Sequence, residues 1–137
     1  MLSRTSKESL IRRVPLFASC TKREVAEVAK MSTETNVVTG ETVISQGDET
    51  REFYVMVSGG MDVTKNGTHV ASMGPGDFFG EIAMLLGAPR NATVTASSPS
   101  HLLVIEEPDF FRLLHETDGL HRKVINALAE RIVPSAL

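Results

Sequence analysis

Nine of the ten glycines in this 137-residue chain lie between residues 33 and 106. Glycine at that density breaks any long helix and favours turns. Short runs rich in valine, threonine and aromatic residues alternate with the glycines. They are Asn36-Val37-Val38, Thr42-Val43-Ile44, 53–57, Met61-Asp62-Val63-Thr64, 69–73, 93–96 and 102–105. Many short strands at such spacing read as a sandwich or barrel. Asn66-Gly67 between two alternating runs signals a hairpin, because a type I′ turn needs positive φ at both central positions. The layout this pattern predicts is helix, then β-roll, then helix, and the fold expected on the whole reading is α+β, an eight-stranded antiparallel β-roll (jelly roll) flanked by N-terminal and C-terminal helices.

Residues 1–32 are helical in pattern. A short amphipathic helix over 6–13 carries Leu10 and Ile11 and stops at Pro15. Thr21 with Glu24 three positions later forms a capping box for a second helix, whose apolar stripe is Val25, Val28 and Ala29. Residues 107–137 return to helix. Pro108 suits the first helical position, with Phe110, Phe111, Leu113 and Leu114 on the buried side. After Gly119, Leu120, Val124, Leu128 and Ile132 share one face, ending near Pro134. The expectation is one domain over 1–137, its roll spanning 33–106.

Composition narrows the function classes. Net charge is -3, from 14 basic and 17 acidic residues, so no general basic field suits nucleic acid. One cysteine, Cys20, excludes an internal disulfide and fits a reducing, cytoplasmic compartment. No apolar run approaches the roughly 18 residues of a membrane span. The stretch after Arg12-Arg13 is too short, and too interrupted by Pro15, for a secretion signal ending at Cys20.

The segment from Gly74 to Val94 breaks the strand rhythm. A glycine-rich turn leads into Glu81-Ile82-Ala83-Met84-Leu85-Leu86, one or two helical turns closed by Gly87 and Pro89. The first N–H groups of such a helix lack internal partners and, with its dipole, favour an anion. Arg90 follows and can return to the same place as a guanidinium matched to phosphate oxygens. If Arg90 points inward, Ala92, Val94 and Ala96 do too. A buried arginine needs compensation. Glu81 could supply it as an internal salt bridge, or Glu81 could accept from a ligand hydroxyl while Arg90 takes the ligand's phosphate. The glycines fit neither a P-loop nor a dinucleotide fingerprint, since Gly80 falls one residue late after Gly74-x-Gly76.

Phe79-Gly80-Glu81-Ile82-Ala83-Met84-Leu85 followed by Pro89-Arg90-Asn91-Ala92-Thr93-Val94 resembles the phosphate-binding cassette, residues 79–94 here, of the cyclic nucleotide-binding domain family. Protein kinase A regulatory subunits, catabolite activators and cyclic-nucleotide-gated channels share that domain. Gly40 to Asp48, Phe53 to Gly59, and Leu16-Phe17 extend the resemblance over about 120 residues. The resemblance implies that Arg90 pairs with the cyclic phosphate and Glu81 with the ribose 2′-hydroxyl. Backbone N–H groups of Gly80, Ile82, Ala83 and Asn91 would complete the cradle, with Ala92 beside it. Val63 and Met73 would flank the base or sugar, and the last helix, 120–132, would move as a lid. Asn91 stands where relatives carry either alanine or a guanine-bonding hydroxyl. Cyclic AMP is the favoured ligand, cyclic GMP the alternative, and no cofactor or metal is expected.

His69, His101, His115 and His121 are scattered, without the H-x-H pair of a cupin metal site. Asp77, four before Glu81, suits turn chemistry better than catalysis. The function expected is therefore a sensor, not an enzyme, coupled to a channel, transporter or kinase effector, with a dimer contact through the last helix as one option. The alternative is the ligand-binding part of a catabolite-activator-like transcription factor. Little chain follows the last helix, so this chain alone is not expected to read DNA.

Overall fold

A computed structural model of the chain describes residues 4–117, 119–126 and 129. Helix α1 spans Arg4–Arg13 and α2 Lys22–Met31, separated by a 3-10 turn at Pro15–Phe17. Strands β1 (Ser32–Val37), β2 (Thr42–Ile44), β3 (Glu52–Lys65), β4 (Thr68–Met73) and β5 (Phe78–Phe79) follow. Helix α3 (Glu81–Leu86), strand β6 (Thr93–Glu106) and helix α4 (Glu107–Glu116) come next. A further helical stretch covers 120–126. Ser32–Glu107 form one compact unit, and the helices before and after it form another.

In the helical unit the capping box closes as expected. Glu24 N–H donates to Thr21 Oγ1 at 3.1 Å, and Thr21 N–H donates to Glu24 Oε1 at 2.7 Å. Ile11, Phe17, Val25 and Val28 are buried at its centre. Lys123 Nζ donates to Ser19 Oγ at 2.8 Å, tying the 120–126 stretch to the end of the 3-10 turn. In α4, Phe110 and Leu113 are buried, but Phe111 is 41% exposed, contrary to expectation. Leu120 and Val124 are buried; Leu128, Ile132 and Pro134 lie outside the described residues.

The sheet corrects the expected count and closure. It has six strands, not eight, and is open rather than a closed jelly roll, with the order β1-β6-β3-β4; β2 adds to β6 and β5 to β3. Two pairs of short runs merge into single 14-residue strands. Runs 53–57 and 61–64 are both β3, and runs 93–96 and 102–105 are both β6. Gly59 and Gly60 do not turn the chain. They lie within register shifts between Met56↔Leu102 and Met61↔Ala96, where bulges let pairing resume. Gly59 has φ +98, and a Cβ there would strike Ser100 Oγ and come within 2.6 Å of the Pro99 carbonyl. The buried Ser100 hydroxyl accepts from Gly60 N–H at 3.1 Å and donates to the Ser98 carbonyl at 2.9 Å. The Asn66-Gly67 hairpin is as expected, with φ values of 53 and 80 joining Lys65 to Thr68.

Both faces of the β3–β6 pair are buried. Tyr54, Met56 and Leu102 belong to one core with Ile44, Met61, Phe79, Val94 and Ala96, and Val63 and Met73 pack at its margin. Phe53, Val55, Leu103 and Ile105 are buried on the alternate face. Gly59→Ala is expected to destabilise the chain by about 2 kcal/mol or more, through positive φ and overlap with β6. Urea unfolding should show a lower midpoint with an unchanged slope.

Candidate functional site

The glycine turn before α3 is fastened to β3. Met56 N–H donates to the Asp77 carbonyl and Gly76 N–H to the Met56 carbonyl, each at 2.8 Å. Asp77 is a turn residue, as expected, its Oδ2 accepting from Gly74 N–H at 2.9 Å. Helix α3 then forms between two left-handed glycines, Gly80 at φ 99 and Gly87 at φ 60. A Cβ on Gly80 would lie 2.5 Å from the Glu52 carbonyl and 3.1 Å from Arg90 Nη1. Only glycine allows so close an approach.

Arg90 is 4% exposed and held along its whole length. Its N–H donates to the Asp48 carbonyl at 2.7 Å, and its carbonyl accepts from Gly47 N–H at 2.8 Å. Its side-chain Nε donates to Thr50 Oγ1 at 3.1 Å, Nη1 to the Gly80 carbonyl at 2.8 Å and Nη2 to the Glu52 carbonyl at 2.9 Å. All three side-chain acceptors are neutral, and none is Glu81. Burial pulls the guanidinium below its ordinary pKa; the fields of Tyr54, Glu52 and Glu81 oppose that pull, and that of Arg51 adds to it. A guanidinium carries five N–H donors, so these three bonds leave donors for an anion.

Glu81 opens α3 and is fully buried. Arg90 bonds the carbonyl of Gly80, so the guanidinium reaches the backbone directly before Glu81. Ala83 is also buried, Ile82 and Ala92 are half-buried, and Asn91 is exposed. Val63 and Met73 stand on neighbouring strands, in the pairs Val63↔Ala71 and Met61↔Met73. The structure thus brings Gly80, Glu81 and Arg90 together, and places Val63 and Met73 at the margin of the sheet core.

Thr50, Glu52 and Tyr54 are the residues that sequence reasoning missed. Glu52 gives its backbone carbonyl to Arg90 and accepts from the Tyr54 hydroxyl at 2.9 Å through its carboxylate. The Tyr54 ring stacks on Phe79, at 4.9 Å and 12°. The expected strand run 53–57 contained Tyr54, but a carbonyl acceptor such as that of Glu52 leaves no side-chain signature. A cavity of ≈ 360 Å³ on β1, β2, β3 and β6 is lined by Glu34, Glu41, Glu52 and Glu106 beside Tyr54. Four carboxylates repel a phosphate, and none of the expected ligand residues lines it. Among the described residues no cluster could hold a metal ion, and no helix is long and apolar enough to cross a membrane. His101 joins strands, its Nδ1 2.9 Å from Asn36 Oδ1 and its Nε2 3.0 Å from Glu34 Oε1.

A short helix between left-handed glycines, with a buried arginine bonded to the carbonyl of the glycine that caps it, marks a β-domain with a site suited to an anion. Comparison with known proteins gives the particular family. The family model for the cyclic nucleotide-binding domain matches residues 34–117, and the chain belongs to that family. It is 37% identical over 125 residues to the cAMP-dependent protein kinase regulatory subunit of Yarrowia lipolytica, covering 89% of this chain and 33% of that protein. The regulatory subunit of Schizosaccharomyces pombe is 36% identical over 116 residues, covering 84% and 28%. The chain therefore spans about a third of the length of the curated relatives it matches. Among solved structures, cAMP-bound PfPKA-R superposes with a TM-score of 0.80 at 29% identity, covering 92% of this chain and 47% of that one. The regulatory domain of Toxoplasma gondii PKA with cAMP has a TM-score of 0.86 at 23% identity, covering 93% and 50%, and shares the fold.

Tyr54 supplies a spectroscopic test, being the chain's one tyrosine in a sequence without tryptophan. Burial, then the bond to and the charge of Glu52, push its phenol well above the ordinary value of 10.0. The folded state therefore holds this proton more tightly than the unfolded chain. Its contribution to stability is complete below pH 10 and is lost as pH rises from there toward the folded value. Phenolate absorbance should stay absent from the folded protein at pH 10 and appear on unfolding in urea. Tyr54→Phe should flatten the alkaline part of the stability profile.

Proposed function

We propose that the chain is a single sensor domain that binds a 3′,5′-cyclic mononucleotide, cAMP ahead of cGMP, and catalyses nothing. The observation that carries this reading is Arg90, a buried guanidinium whose side chain bonds three neutral acceptors and keeps donors in hand. An anion is the partner that offsets such a charge. Glu81 beside it suits a ligand that also presents a hydroxyl, as the 2′-hydroxyl of a cyclic nucleotide does. Backbone N–H groups of Gly80, Ile82, Ala83 and Asn91 complete the cradle beside Ala92, and Val63 and Met73 flank the base or sugar. The similarity to cAMP-dependent kinase regulatory subunits favours cAMP as ligand and a kinase as the effector. A reducing, cytoplasmic setting suits the single half-buried cysteine.

Calorimetric titration with cAMP, cGMP and 5′-AMP in parallel tests the reading. Saturable binding of a cyclic nucleotide, with 5′-AMP far weaker, is the expected result. Arg90→Ala removes a charge-assisted bond worth about 1.5–3 kcal/mol, so affinity should fall at least about tenfold. Unchanged affinity in a folded Arg90→Ala protein would remove Arg90 from the site. Ligand occupancy is also expected to change amide-exchange protection over 120–126, through differential affinity for two arrangements of the last helix. Equal protection with and without cAMP would end the lid proposal and leave the binding proposal standing.

A further inference from the structure

A second guanidinium belongs to the segment that holds Arg90. Arg51 lies in the chain between Thr50 and Glu52, which supply the acceptors for Arg90 Nε and Nη2. Its own Nη1 donates to the Thr50 carbonyl at 3.2 Å, which keeps its charge over the same segment. The carboxylate described near it is Glu107, 3.8 Å from Nε, with both side chains open to water at 26% and 37% exposure. So loose a pair neutralises little of the charge.

Two like charges held by neighbouring backbone raise the free energy of the empty site. The field of Arg51 reaches Arg90, adding to the effect of burial on that guanidinium. An anion seated on Arg90 relieves that repulsion and is drawn by both charges. We infer that Arg51 is a second cation of the phosphate site, strengthening cyclic nucleotide binding at Arg90 by its field and setting much of its salt dependence. The inference rests on the proposed function and names a residue outside the 79–94 cassette.

The test is cAMP affinity of the full chain, by calorimetry at low and at high salt, for the unchanged protein and for Arg51→Gln, Arg51→Lys and Glu107→Gln. Arg51→Gln should weaken binding roughly three- to tenfold at low salt, and the gap should close as screening grows. Arg51→Lys keeps the charge and should stay close to the unchanged protein. Glu107→Gln breaks the same surface contact but leaves Arg51 charged, so binding should be no weaker. Equal affinity of Arg51→Gln and the unchanged chain at low salt would overturn the inference. So would equal losses in Arg51→Gln and Glu107→Gln, which would mark a merely structural contact. Those results leave the proposed function intact, whereas an unchanged chain that binds no cyclic nucleotide overturns both.

Discussion

A guanidinium removed from water among neutral acceptors is costly, and Arg90 is in that position. The fold around it is arranged to hold that charge without cancelling it. The segment 47–52 takes its backbone and two of its side-chain nitrogens, and the turn before α3 takes the third. Gly80 lets the Glu52 carbonyl and the guanidinium approach together, which no side chain at that position would allow. Had a carboxylate taken the guanidinium fork, the site would be an internal ion pair with little to offer a ligand. Carbonyl and hydroxyl oxygens orient the group and leave its charge in place.

The same logic explains the short helix. Six residues between left-handed glycines make a poor independent helix. Here α3 is held by its attachments: the preceding turn bonds Met56 in β3, and Gly80 bonds Arg90. A change at Arg90 is therefore felt by β3, by the 47–52 segment and by α3 together. Residues so joined do not act additively, and substitutions among them should be read as cycles rather than sums.

Local signals were the legible ones. The Thr21–Glu24 box, the Asn66-Gly67 turn and the Asp77 turn each specify their geometry within four residues, and the glycines around 81–86 within eight. The burial of Arg90 was legible as well, because a charge set in an apolar strand pattern is unusual. The number of strands was not. The runs on either side of Gly59-Gly60 read as separate strands, and only pairing with the distant β6 makes the glycines a bulge within one strand. Nor were the acceptors of Arg90 legible, since two of them are main-chain oxygens that any residue carries. Phe111 shows the limit of periodicity: an apolar residue beside a stripe is not always in it.

The two long strands have a kinetic corollary. Each contact of the β3–β6 ladder joins residues far apart in sequence, from Thr64 with Thr93 to Glu52 with Glu106. No hairpin can nucleate that ladder, so a large loop must close before any of its pairing is rewarded. Topology therefore predicts slow folding. Until β3 and β6 meet, β6 and the part of β3 beyond its hairpin with β4 have no hairpin partner, and in that interval self-association is expected to compete with folding.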